Sequence, residues 1–130
     1  IPFLLSNPSI KISLNSALNV LLFAGIGNPE ILKSHVQSKV KSLKWLGFSD
    51  HHWYSDRDIF KIEADSKEDD IKRIILTTEK DAIRFYEYMP LLKKEGIEIY
   101  VLPMKMQFLA NDGILFDKLL KESIAYFKEK

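Results

Sequence analysis

Two short blocks set side chains of complementary chemistry next to one another: Phe48-Ser49-Asp50-His51-His52-Trp53-Tyr54 and Thr77-Thr78-Glu79-Lys80-Asp81-Ala82. In the first, a carboxylate precedes two of the chain's three histidines. Asp50 can fix the tautomer of an adjacent imidazole and orient it as a general base, because histidine changes charge near neutral pH. The same triplet could supply metal ligands, but adjacent histidines seldom chelate one ion together and further carboxylates would be needed. A loop whose polar groups satisfy the local backbone is the third reading. In the second block, acid, base and acid fall within one turn after an apolar run. Glu79 and Asp81 at a helix start complement the helix dipole, for roughly 0.3–1 kcal/mol each, and Asp81 stands at capping-box spacing from Thr78. Lys80 opposes that dipole and calls for a partner, either a neighbouring carboxylate or a bound anion.

A third segment, Gly25-Ile26-Gly27-Asn28, joins a strand to a helix. Glycines there let backbone approach a ligand closely, and a helix N-terminus attracts anions such as phosphate. It is neither a phosphate loop, since no Gly-Lys-Ser/Thr follows, nor a full dinucleotide fingerprint. An ordinary tight turn, with Asn28 as a helix cap, is the competing reading. Phe48, Trp53 and Tyr54 either shield a dry pocket or pack a core, and His35 reads as a surface residue.

The elements that must position these blocks follow from hydrophobic patterning. Residues 19–24 form a short apolar run of the kind found in buried parallel strands. Asn28 as N-cap and Pro29 at the first helical position start a helix reaching about Gln37. Residues 40–46 fit either a half-buried strand, from the alternation of Leu43-Lys44-Trp45, or a continuing helix dressed by lysines, and closure by Gly47 favours the strand. Ser55 and Asp58 have capping-box spacing before the apolar face of Ile59 and Ile62, and residues 64–70 read as frayed or looped. A strand over 71–76 leads to the Thr78 cap. Ala82, Ile83, Tyr86 and Met89 then follow at helical spacing, with Pro90 limiting the helix. Residues 97–102 make a further strand, ended by Pro103, and Asp112 caps a last helix bearing Leu115, Leu119, Ile124 and Phe127. Strand and helix alternate with short connections, which predicts an α/β fold with a mostly parallel sheet flanked by helices. In such sheets ligands bind at the carboxyl ends of the strands, where all three candidate segments fall.

Length and composition bound the function. A chain of 130 residues, 46% hydrophobic and 28% charged, is one globular domain. A formal charge of +1 offers no global field for nucleic acid. Lysine clusters at 39, 41 and 44 and at 118, 121, 128 and 130 read as solvated faces, with weak attraction to anionic membrane as the alternative. There is no cysteine, so disulfide and thiolate chemistry are excluded. No apolar run reaches the ~18–20 residues needed to span a bilayer, and residues 1–5 lack a signal-peptide pattern. The chain begins at Ile1 rather than Met, as expected for a piece of something longer.

Taken together, Gly25-Ile26-Gly27-Asn28-Pro29, the Phe48–Tyr54 block and the Thr77–Ala82 block resemble, in order and spacing, the second half of the tetraacyldisaccharide 4'-kinases. The similarity runs over about residues 20–102, and Thr-Thr-Glu-Lys-Asp-Ala after a hydrophobic strand is its most specific part. Gly27 and Ser49 stand where relatives often have Ala and Pro. That family phosphorylates the lipid A precursor at the cytoplasmic face of the Gram-negative inner membrane. Its phosphate loop, magnesium-binding acids and membrane-facing helix lie in a first half that has no counterpart here. The resemblance therefore implies the Rossmann-like C-terminal half of a two-domain P-loop kinase, inactive alone. ATP and Mg²⁺ would be bound mainly by the N-terminal P-loop domain. His51 would assist catalysis with an aspartate from that domain, Asp50 would orient it, and Gly25, Gly27 and Asn28 would flank the nucleotide. No metal ligand is assigned. Two alternatives stand beside it: a metal-dependent phosphoesterase using Asp50-His51-His52, and a non-catalytic α/β binding module.

Overall fold

In the computed structural model, which describes residues 1–103, the elements run β1 (Phe3–Leu4), β2 (Asn7–Lys11), β3 (Asn19–Ala24), α1 (Glu30–Gln37), β4 (Ser42–Gly47), α2 (Asp56–Ser66), β5 (Ile74–Thr78), α3 (Glu79–Ile83), α4 (Met89–Glu95) and β6 (Ile99–Leu102). Short 3-10 turns cover Glu68–Asp70 and Tyr86–Tyr88. The strands form one six-stranded sheet in the order β2-β1-β6-β5-β3-β4. β3 to β6 are mutually parallel, as the alternation of strands and helices predicts. The sheet is mixed because a short antiparallel hairpin, β1–β2, adds to the β6 edge. Sequence patterning does not announce this hairpin: β1 is two residues long and β2 is exposed throughout.

β3 is central, and side-chain alternation along it divides the core into two layers. Leu21 and Phe23 face the layer that holds Ile59 and Ile62 of α2, Phe85, and Leu92 of α4. Val20, Leu22 and Ala24 face Leu32 and Val36 of α1. The chain steps from β3 outward to β4 across the α1 layer, then back past β3 to β5 across the α2 layer. Connections of one hand require this change of face when the direction of travel reverses. The loops after β3 and β5 therefore diverge to opposite faces, which makes the gap between these neighbours the topological switch point of the sheet.

Several boundaries differ from expectation for identifiable reasons. Helix α1 begins at Glu30, with Pro29 itself as N-cap and no side-chain cap, so Asn28 lies in the loop. Residues 71–73 stay outside the sheet because Arg73 is tied to the end of α2. Its N–H donates to Ser66 O (3.0 Å) and its guanidinium to Glu68 O (2.9 Å). Residues 64–66 complete α2 instead of fraying, and Ser66 is buried. The helix after Thr78 is not continuous: α3 closes at Ile83, and Pro90 opens α4 within its first turn, where a missing N–H costs nothing. Left-handed Gly96 (φ 67°) ends α4, and Ile97 N–H returns to Leu92 O (2.9 Å). The helix expected after Asp112 lies outside the described residues.

Candidate functional site

The carboxyl ends of β3, β4 and β5 bring the three segments to one edge of the sheet, and a single buried carboxylate joins them. Thr78, the N-cap of α3, accepts from Asp81 N–H (3.1 Å). The Asp81 carboxylate does not return to the cap backbone as a capping box would have it. Its Oδ2 accepts from the Thr78 hydroxyl (2.6 Å), and its Oδ1 accepts both Gly25 N–H (2.9 Å) and the Tyr54 hydroxyl (2.9 Å). The Gly25 bond crosses the switch point, so the crevice where open α/β sheets commonly receive a ligand is here filled by the protein's own carboxylate. Gly25 is required at this point: a β carbon on it would lie 2.6 Å from the Ser49 carbonyl oxygen. Tyr54 is buried among Phe23, Phe48 and Phe85. Burial first, and then the charge and hydrogen bond of Asp81, push its phenol far above the ordinary tyrosine range.

The two adjacent histidines have different surroundings. His52 is half-buried, stacked on Phe48 (ring centroids 4.8 Å) and edge-on to Tyr54 (5.0 Å). Its Nε2 lies 2.9 Å from Asp58 Oδ2. Asp58 also completes the capping box of α2, accepting Ser55 N–H at 2.9 Å. Burial opposes ionisation of Asp58, but the hydrogen bonds from His52 and Ser55 outweigh it and hold the carboxyl below its ordinary range. His52 thus ties the loop to the start of α2. His51 is exposed, with backbone in the left-handed region (φ 61°). Its Nε2 is 3.6 Å from Asp50 Oδ2, and its Nδ1 is 3.1 Å from Arg84 Nη2. Arg84 Nη1 donates to His52 O (3.3 Å).

Of the residues singled out from sequence, Asp50 and His51 are adjacent and exposed, and Gly27 sits beside Asp50. A β carbon on Gly27 would be 3.5 Å from Asp50 Oδ2. Gly27 and Asn28 are exposed, whereas Gly25 is buried with its N–H committed to Asp81. Lys80 is exposed and forms no ion pair among the described residues, while Glu79 and Asp81 lie in the first turn of α3, as expected, and are buried there. Tyr54, Asp58, Asp81 and Arg84 enter as organising residues. The Thr78–Asp81 and Ser55–Asp58 spacings signal local caps, but no spacing signals their long-range partners. Among the described residues no group of three or more His, Cys, Asp or Glu side chains could hold a metal ion, and no helix is long and apolar enough to cross a membrane.

Comparison with known proteins gives a consistent result. The sequence model of the tetraacyldisaccharide-1-P 4'-kinase family matches residues 6–124. A tetraacyldisaccharide 4'-kinase of Bacteroides fragilis is 34% identical over 120 residues, covering 90% of this chain and 31% of the relative. One from Flavobacterium psychrophilum is 37% identical over 82% of the chain and 30% of its own length. One from Gluconobacter oxydans is 33% identical over 71% of the chain and 28% of its own length. The chain thus spans about a third of the length of the relatives it matches. No solved structure matches it.

Proposed function

The chain belongs to the tetraacyldisaccharide-1-P 4'-kinase family, and from that premise we propose that it forms the C-terminal part of an ATP-dependent kinase acting on the lipid A precursor. In that reaction the sugar 4'-hydroxyl oxygen bonds to the γ-phosphorus of ATP, the bond to ADP breaks, and the hydroxyl proton leaves. Phosphoryl transfer depends chiefly on positioning and charge stabilisation, so a domain that closes over the reactants contributes by holding a few groups in place. His51 is the group assigned to assist the transfer, with Asp50 beside its ring and an aspartate from the rest of the enzyme as its partner. Gly27 and Asn28 flank the nucleotide, and Gly25 holds their loop through its bond to Asp81. ATP phosphates and Mg²⁺ are assigned to an N-terminal P-loop domain, since the described residues include neither a phosphate loop nor a cluster of acids fit for the ion. The enzyme works at the cytoplasmic face of the inner membrane, where its lipid substrate resides.

What supports this best is the exposure of His51 and Asp50, with Asp50 beside Gly27, at the loop edge of a sheet in a chain of this family. His51→Ala in the full-length enzyme is expected to lower turnover about 10²–10⁴-fold, with the melting temperature nearly unchanged. Normal turnover by that variant would favour a non-catalytic role. The phosphoesterase alternative gains nothing from the geometry, because His51 and His52 face different partners. Stoichiometric manganese or zinc in the purified protein would revive it.

A further inference from the structure

We propose that Arg84 is a positioning residue of the kinase, setting which nitrogen of His51 meets the reactants and acting on the reaction only through that ring. The proposal rests on the role assigned to His51 above. Arg84 follows α3 directly as its C-cap, and α3 is anchored at its other end by the Thr78 cap and the buried Asp81. The guanidinium therefore starts from a fixed element while the histidine loop is exposed. It grips that loop twice, with Nη1 on the His52 carbonyl (3.3 Å) and Nη2 at His51 Nδ1 (3.1 Å). A planar fork suits this double hold in a way that a lysine ammonium does not. The second anchor is needed because the left-handed backbone of His51 (φ 61°) is disfavoured for a residue with a β carbon.

The contact also has a chemical sense. Arginine has donors only and stays protonated, so Nδ1 must be the acceptor. The proton of the neutral ring then sits on Nε2, the nitrogen 3.6 Å from Asp50 Oδ2. A neutral His51 held this way offers an N–H to an incoming oxygen. It orients the aspartate assigned to the rest of the enzyme, and that carboxylate takes the 4'-hydroxyl proton as the oxygen bonds to the γ-phosphorus and the bond to ADP breaks. Without Arg84 the ring is free to turn over or exchange tautomers, and this directed donor is lost.

A double-mutant cycle in the full-length enzyme tests the idea. Arg84→Met is expected to lower kcat about 10–100-fold with the KM for ATP unchanged, the scale of loss that follows from a misplaced group. Arg84→Lys should restore part of the loss, since one donor returns. Combined with His51→Ala, Arg84→Met should cost nothing further. Multiplying effects would mean that Arg84 meets the reactants itself, and an unimpaired Arg84→Met would remove its role; either result overturns the proposal. If His51→Ala alone leaves turnover intact, the role of His51 fails, and a second measurement decides the Arg84 contact separately. Imidazole nitrogen NMR of the full-length enzyme should show the His51 Nδ1 resonance displaced by Arg84→Met while His35 stays in place. An undisturbed Nδ1 resonance would show that the contact is absent.

Discussion

Asp81 carries more of the site's organisation than either histidine. It is fully buried, and one side chain answers three donors from three separate segments: Gly25, Tyr54 and Thr78. Each donor orphaned in the interior costs about 1–3 kcal/mol, so Asp81→Ala should destabilise the chain by about 3 kcal/mol or more in urea unfolding. Tyr54→Phe, which removes one donor and leaves the acceptor served by the others, should cost about 1 kcal/mol. The phenol also predicts a pH signature. Its folded-state pKa is raised, by burial and then by Asp81, above the unfolded value of about 10. The unfolded chain therefore releases this proton first, and the stability it contributes is complete below pH ~10 and is lost as pH rises beyond it. Unfolding free energies taken between pH 9 and 11 should fall less steeply in Tyr54→Phe than in the parent.

At the scale of elements, the loop after β3 shows that two glycines in one motif can differ in role. Gly25→Ala places a methyl 2.6 Å from the Ser49 carbonyl oxygen and must push the β3 and β4 loops apart, at an expected cost of about 1–3 kcal/mol. Gly27→Ala meets only Asp50 Oδ2 at an ordinary 3.5 Å, and should stay within about 0.5 kcal/mol of the parent by thermal unfolding. Apolar periodicity made the central parallel strands and the Ser55 and Thr78 caps legible, because a buried strand and an N-cap each have a local chemical cause. The hairpin of β1 and β2 was not legible, since two residues carry no period and β2 buries nothing. The start of β5 was displaced by the hold of Arg73 on Ser66 and Glu68, a local hydrogen-bonded turn that apolar periodicity does not report. The site divides the same way: the Asp50-His51 pair is a feature of sequence, whereas the link from Arg84 spans 33 positions and exists only after folding.

For the whole molecule, a chain spanning about a third of its relatives' length, with no phosphate loop, is expected to transfer no phosphate by itself. Incubating the 130-residue chain with ATP and the tetraacyldisaccharide 1-phosphate should yield no bisphosphorylated lipid, and product above background would refute the assignment of an incomplete half. β2 is exposed throughout and carries Pro8, and edge strand β4 presents Lys44 paired to Glu68 at 2.9 Å, both of which discourage strand addition. Trp53, two residues after His51, is 79% exposed, and the chain's other indole, Trp45, is half-buried with Lys33 Nζ 5.4 Å from its ring. The loop edge therefore carries its own optical reporter: a ligand or domain that buries Trp53 should shift its emission to the blue, with the half-buried Trp45 as an internal reference.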